Sequence, residues 1–369
     1  MKIVWLSWKD RGHPLAGGAE TISGEIMDRL VRDGHKVKTV TALYKDAVSH
    51  EKKDGVEIFR TGNRYTVYLK ARKLYKERLL GWADLVIDEM NTIPFGSASY
   101  SGTKNLFLCY QLAREVWFYQ MPVPISWVGY MSEPPMLRVL AKKYPVVATE
   151  SESTRKDMSR FGFQDIHTFR VGTALKPVTK LEEKPKDTII LSLGAIRPMK
   201  QTLHAIQAFE YARDRDANLK MIVAGDSTSS YGKKVVDYTQ ASRHKDSITV
   251  TGRVPAEERL RLMREAAVIL VTSVKEGWGL IVTEANSQGT PAIVYDTDGL
   301  RDSVIDTVTG VVSANSKPDA MGENIISLLK DKKRYEEMRL AAWKNSKQFT
   351  FENSYKDFLG IINTALSKK

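Results

Sequence analysis

The sequence predicts an α/β protein made of two successive units, each a mostly parallel sheet layered with helices. Three observations predict it. Short apolar, β-branched runs recur along the chain (KIVWLS at 2–7, TIILSL at 188–193, AVILVT at 267–272), the pattern of strands buried on both faces. Helix-forming stretches follow most of them, so strand and helix alternate twice over. Between the two series lies Ala174–Asp187 (ALKPVTKLEEKPKD), which is charged, holds two prolines and lacks periodicity, as linkers do. The expected units are 1–175 and 186–349, and a chain of 369 residues gives each its own core.

Taken in order, Lys2–Ser7 reads as the first strand and Glu20–Arg32 as the first helix. Between them HPLAGGAE places Gly17 and Gly18 where backbone can approach a ligand, with Glu20 opening the helix. It is not the GxGxxG dinucleotide fingerprint. Val37–Ala42, Val56–Arg60, Asp84–Ile87, Leu106–Tyr110 and Val146–Thr149 read as further strands. Tyr65–Trp82 reads as a helix with Leu69, Leu74, Tyr75 and Leu79 as its apolar face. Lys70, Arg72, Lys73, Lys76 and Arg78 cover the rest, either as a solvated basic face or as a surface for anionic lipid. Ser151 or Ser153 caps the helix that carries Arg155–Arg160. In the second half, strands at Thr188–Leu193, Leu219–Ala224, Ile248–Thr251, Ala267–Thr272 and Pro291–Tyr295 alternate with helices at His204–Arg213 and Leu280–Ser287. The tail, Phe349–Leu366, is amphipathic.

Composition narrows the function. Hydrophobic content of 42% and charged content of 27% are those of a soluble globular protein. The single cysteine, Cys109, excludes internal disulfides, and six scattered histidines without HExxH show no metal site. The start, MKIVWLSWKD, reads as a strand followed by charge rather than a signal peptide, and a cytoplasmic location is expected. A net charge of +12 suits an anionic partner, yet no nucleic-acid module is present.

The chemistry concentrates in Ser273–Ala285 (SVKEGWGLIVTEA), where Glu276 and Glu284 flank a hinge of Gly277 and Gly279 between a strand and a helix. Strand, glycine turn and helix aim backbone N–H groups at an anion. Carboxylates repel phosphate and grip hydroxyls instead. The stretch suits a molecule with hydroxyls at both ends and phosphate in the middle.

This E-x7-E pattern, EGWGLIVTE, resembles the signature of the family 4 retaining glycosyltransferases. The GGAE loop, the DEMNTIP loop, SESTRKD and GAIRPMK are similar to segments of the same family, so that the resemblance spans most of the chain. It implies a GT-B fold: two Rossmann-like domains facing each other across a cleft, with a C-terminal helix (350–369) crossing back to the first. It implies transfer of a hexose from GDP-mannose or a UDP-hexose to a glycan or lipid-linked acceptor, in cell-surface polysaccharide or glycolipid synthesis. No cofactor or metal is expected, the nucleotide sugar being a substrate. By the resemblance, Glu284 binds ribose hydroxyls, Glu276 those of the transferred sugar, and Arg197 and Lys200 the diphosphate. Gly17, Gly18, Val254, Gly277, Gly279 and Leu280 complete the donor site, and Glu20, Asn91 and Arg114 stand on the acceptor side. Gly299 and Leu300 resemble a loop that closes the donor pocket. Many relatives carry a histidine at the end of the strand where this chain has Tyr110. Tyrosine donates a hydrogen bond but is a poor base at neutral pH. The alternative is therefore a non-catalytic, nucleotide-sugar-binding partner subunit. A basic helix in the first domain docks some relatives on the inner face of the membrane.

Overall fold

The computed structural model describes residues 1–368 and divides them into two compact units, 1–172 with 350–368, and 173–349. In the first unit the strands are β1 (Lys2–Leu6), β2 (Lys36–Thr41), β3 (His50–Lys53), β4 (Val56–Arg60), β5 (Leu85–Met90), β6 (Lys104–Cys109), β7 (Val147–Thr149) and β8 (Ile166–Thr168). They form one sheet in the order β3-β4-β2-β1-β5-β6-β7-β8, parallel except for the β3–β4 hairpin. Its helices are α1 (Gly18–Arg32), α2 (Val67–Arg78), α3 (Trp117–Gln120), α4 (Ile125–Ala141) and α5 (Glu152–Arg160), with Ser151 accepting the Thr154 N–H as N-cap of α5.

Which face each helix covers follows from strand register. Leu6 pairs with Asp88, and Met90 with Cys109, so Leu6, Val86, Met90, Phe107 and Cys109 share one face. There α2 packs through Val67, Ala71 and Tyr75, and α4 through Leu137 and Leu140. On the other face Ser23 of α1 reaches Glu89, and the terminal helix, Phe351–Ser367, stacks Phe358 on Trp5 at 5.5 Å. The C-terminal helix therefore belongs to the first unit, as the resemblance implies. One assignment is corrected: Leu69 is 75% exposed, because the buried stripe of α2 runs Val67–Ala71–Tyr75 at i+4 spacing.

The second unit holds β9 (Thr188–Leu193), β10 (Leu219–Ala224), β11 (Ile248–Gly252), β12 (Val268–Val271), β13 (Ala292–Tyr295) and β14 (Gly310–Ser313) in the all-parallel order β11-β10-β9-β12-β13-β14. Helices α6 (Thr202–Arg213), α7 (Ser230–Ala241), α8 (Ala256–Glu265), α9 (Leu280–Ser287), α10 (Leu300–Ser303), α11 (Pro318–Lys330) and α12 (Lys332–Ser346) connect or cover them, and the terminal helix is α13. Residues 174–187 are a strap on this unit. Val178 N–H donates to the Ser287 carbonyl at 2.9 Å, Trp343 to the Val178 carbonyl at 2.9 Å, and Lys184 to Thr290 at 2.6 Å.

Candidate active site

Open parallel sheets take ligands where the strand order reverses, beyond the carboxyl ends of the strands. In the second unit that point lies between β9 and β12, whose departing loops are 194–201 and 272–279. Backbone and hydroxyl bonds staple them together. Thr272 Oγ1 donates to the carbonyls of Lys200 and Gln201 at 2.8 and 3.0 Å, and Val274 N–H to that of Met199 at 2.9 Å.

This stapling sets the first glutamate against the lysine. Glu276 forms an ion pair with Lys200 through the same carboxylate oxygen that accepts from Ser273 Oγ at 2.6 Å. Both side chains keep some exposure, 16% for Glu276 and 33% for Lys200. Arg197, three residues before Lys200, is exposed and has no ion-pair partner among the described residues. The loop after β9 therefore carries two cations, Arg197 and Lys200, and the carboxylate of Glu276 already holds the second.

The turn into α9 explains its glycines. Gly279 has φ +92°, which L side chains rarely adopt, and a Cβ there would press on Leu300 Cδ2 at 2.8 Å. Leu280 then opens α9, whose first-turn N–H groups carry the positive end of the helix dipole. Gly277 is buried, and Trp278 donates to Thr283 Oγ1 at 2.9 Å. Beyond it, Glu284 is buried and ion-paired with Arg259 of α8. Burial raises its carboxyl above the ordinary value, and Arg259 opposes that rise. Val254 is half-buried against the core below α8 and α9. The sequence reading missed Arg259, since no spacing within α8 announces a partner on another helix.

The loop 296–301 closes on this framework. Glu276 N–H donates to the Asp298 carbonyl at 3.1 Å, and Thr297 Oγ1 to that of Ser273 at 3.0 Å. Lys275, itself buried, pairs with Asp298 at 2.7 Å, and Arg301 reaches Asp298 at 2.5 Å. Gly299 has φ +79°, and a Cβ there would collide with the Glu276 carbonyl. Leu300 is fully buried.

In the first unit the strand order reverses between β1 and β5, beside the GGAE and DEMNTIP loops. Here the polar groups bind one another. Gly17 caps α1, and its N–H donates to Glu20 at 2.6 Å while Lys9 pairs with the other oxygen of that carboxylate at 2.9 Å. Gly18 begins the helix. Glu89 is buried and accepts from Trp5 Nε1, Ser7 Oγ and Ser23 Oγ at 2.7, 3.0 and 2.7 Å. Burial, with the nearby charge of Glu20, pushes its carboxyl up to about 7. The Tyr110 hydroxyl lies 2.6 Å from Ser23 Oγ and 3.3 Å from the Ala19 carbonyl, under the first turn of α1. Burial raises its pKa well above that of a free phenol. Asn91 leaves a buried Nδ2 without a hydrogen-bond partner. Arg114 is engaged within the unit: it stacks 4.2 Å over Tyr130 and donates to the Tyr130 carbonyl at 3.1 Å. Pro134 has no N–H to offer that carbonyl, which explains the bond. No group of three or more His, Cys, Asp or Glu that could hold a metal occurs among the described residues.

Known proteins resemble this chain in sequence and in fold. Residues 177–345 match the family described as Glycosyl transferases group 1, and the stretch 276–284 that carries the resemblance lies inside the match. A D-inositol 3-phosphate glycosyltransferase of Nocardia farcinica is 23% identical over 245 residues, 62% of this chain and 54% of the relative. A poly(glycerol-phosphate) alpha-glucosyltransferase of Bacillus subtilis is 27% identical over 212 residues, 55% of this chain and 30% of the relative. The chain thus spans about half or less of these relatives' length. Among solved structures, sucrose-phosphate synthase from Thermosynechococcus elongatus superposes with a TM-score of 0.79 at 17% identity, covering 98% of each chain. The Anabaena protein HepE, solved with UDP and glucose, gives 0.72 at 15% identity over 99% of this chain and 100% of that one. These likenesses establish the fold that the sequence predicts.

Proposed function

We propose that this chain, a group 1 glycosyltransferase of the GT-B fold, moves a hexose from a nucleoside-diphosphate sugar to a hydroxyl acceptor with retention of configuration. The observation that carries the proposal is the Lys200–Glu276 pair at the reversal point of the second sheet, beside exposed Arg197 and the start of α9. On binding, the donor diphosphate takes Lys200 from Glu276, and the freed carboxylate accepts from hydroxyls of the sugar. Arg197, Lys200 and the α9 N-terminus hold the charge that grows on the diphosphate as the sugar C1–O bond breaks. The acceptor oxygen bonds to C1 on the same face, and its proton passes to a departing phosphate oxygen. Glu284, oriented by Arg259, accepts from ribose hydroxyls.

Donors with UDP or GDP fit this reading, UDP with some support from HepE. Two relatives act, by their names, on phosphate-bearing acceptors, inositol phosphate and poly(glycerol phosphate). A glycan or lipid-linked acceptor carrying phosphate is the corresponding expectation here. The basic face of α2 would bring the chain to an anionic membrane surface, where lipid-linked acceptors reside.

The test is calorimetric binding of UDP, GDP, ADP and TDP in the presence of EDTA, followed by release of sugar from the matching nucleotide sugars. One nucleotide binding strongly, with slow sugar release, is the expected result. Binding without release or transfer would point to a non-catalytic partner subunit. No binding by any of the four would sink the proposal.

A further inference from the structure

Two consecutive residues after β12 reach to different loops. Glu276 pairs with Lys200 in the loop after β9, and Lys275 pairs with Asp298 in the loop after β13. Since β12 lies between β9 and β13 in the sheet, the segment that leaves it is gripped from both sides. The two grips differ in strength. Lys200 is 33% exposed, whereas Lys275 is buried, a place lysine almost never takes without a partner.

Asp298 holds both residues of this segment. One of its carboxylate oxygens accepts from Lys275 Nζ at 2.7 Å and the other from Arg301 at 2.5 Å, while its backbone carbonyl accepts the Glu276 N–H at 3.1 Å. Burial raises the Asp298 carboxyl, but Lys275 and Arg301 outweigh it and hold it below the ordinary carboxylate range, so the pair stays charged. The loop has little room to slip, since a Cβ at Gly299 would stand 2.3 Å from the Glu276 carbonyl oxygen.

When a donor diphosphate takes Lys200, Glu276 gives up its partner at the moment its carboxylate is needed. What remains is Ser273 Oγ, at 2.6 Å, and the grip of Asp298 on the main chain. Separating a buried ion pair leaves an uncompensated charge and is strongly opposed. We infer that Lys275 and Asp298 are positioning residues for the sugar transfer proposed above, on which this inference rests: their pair fixes the backbone of Glu276, so that its carboxylate stays in place for the sugar hydroxyls once Lys200 has turned to the diphosphate.

The test compares Lys275→Met and Asp298→Asn with the wild type by calorimetry with UDP, GDP, UDP-glucose and GDP-mannose in EDTA, and by release of sugar. Both variants should bind the free nucleoside diphosphate within about twofold of wild type. The ratio of nucleotide-sugar to nucleotide affinity should fall about fivefold and turnover about tenfold or more. In a Glu276→Ala background Lys275→Met should leave that ratio unchanged, because the carboxylate it places is gone. Circular dichroism checks the fold; if Lys275→Met unfolds, Asp298→Asn, nearly isosteric and 27% exposed, carries the test. Asp298→Asn with wild-type turnover and affinity ratio would overturn the inference. So would equal loss of nucleotide and nucleotide-sugar binding, or a further fall of the ratio in the Glu276→Ala background, since the pair would then only hold the unit together. Wild-type protein that binds nucleotide sugars without releasing or transferring sugar would overturn the transfer proposal alone, the affinity ratio still deciding what places Glu276. Wild-type protein that binds no nucleotide would overturn both.

Discussion

The two sheets reverse strand order in the same way, yet they treat charge at that point differently. In the first unit the charged and hydroxyl groups are buried and bound to one another: Glu20 to Lys9 and Gly17, Glu89 to Trp5, Ser7 and Ser23, Tyr110 to Ser23. In the second, Arg197 is exposed and the Lys200–Glu276 pair is partly open to solvent. A buried, satisfied network costs much to break and fixes backbone. An ion pair partly open to solvent is held less firmly than such a network and is more readily exchanged for a ligand. The comparison assigns shape to the first site and charge exchange to the second.

The sharpest way to break it is Lys200→Ala. Turnover should fall about 100-fold or more and nucleotide affinity about tenfold, read by steady-state kinetics and calorimetry. Unchanged values would remove Lys200 from the diphosphate site. Glu276→Gln separates the roles further: turnover should fall about 100-fold, while affinity for the free nucleoside diphosphate holds or tightens because Lys200 loses its competitor. Equal loss of both would exchange the roles given to Glu276 and Glu284.

Smaller effects test the first site. Glu89 has a folded pKa of about 7 against an ordinary 4.5, so the folded state holds its proton more tightly. The stability this gives is fully present below pH 4.5 and is lost as pH rises through 7, on the order of 3 kcal/mol in total. Glu89→Gln should flatten that decline in urea titrations of the first unit at pH 5 and 8; an unaltered slope would place the proton elsewhere. Tyr110→Phe should cost about 1 kcal/mol of stability and change turnover less than about fivefold, since the hydroxyl braces Ser23 and Ala19. A loss matching that of Lys200→Ala would make Tyr110 a group that touches substrate and end the contrast between the sites.

Much of this was legible in the chain. Helix α9 spans Leu280–Ser287 as its glycines and Pro291 predict, and Ser151 caps α5, because capping and turn chemistry are local. What escaped was set by distant contacts. Helix α4 carries no legible signal: Pro134 and Pro135 lie inside it, which reads in sequence as a break, and its first two turns turn apolar residues outward. Strand β3 is HEKK, held only by pairing with β4. Leu69 looked like core by type, but the register of α2 is set by Val67, Ala71 and Tyr75. The Arg259–Glu284 pair joins two helices whose approach no spacing records.

The stacking of Phe358 on Trp5 has a bearing on synthesis. A ribosome releases β1 before α13, so Trp5 waits for its partner until the more than 300 residues between them have been translated. The second unit, contiguous from 173 to 349, is complete before then. Of the two units, the one that starts earlier is the one completed later, and a nascent chain cut short before residue 350 would carry a finished second unit behind a first unit with its Trp5 face uncovered.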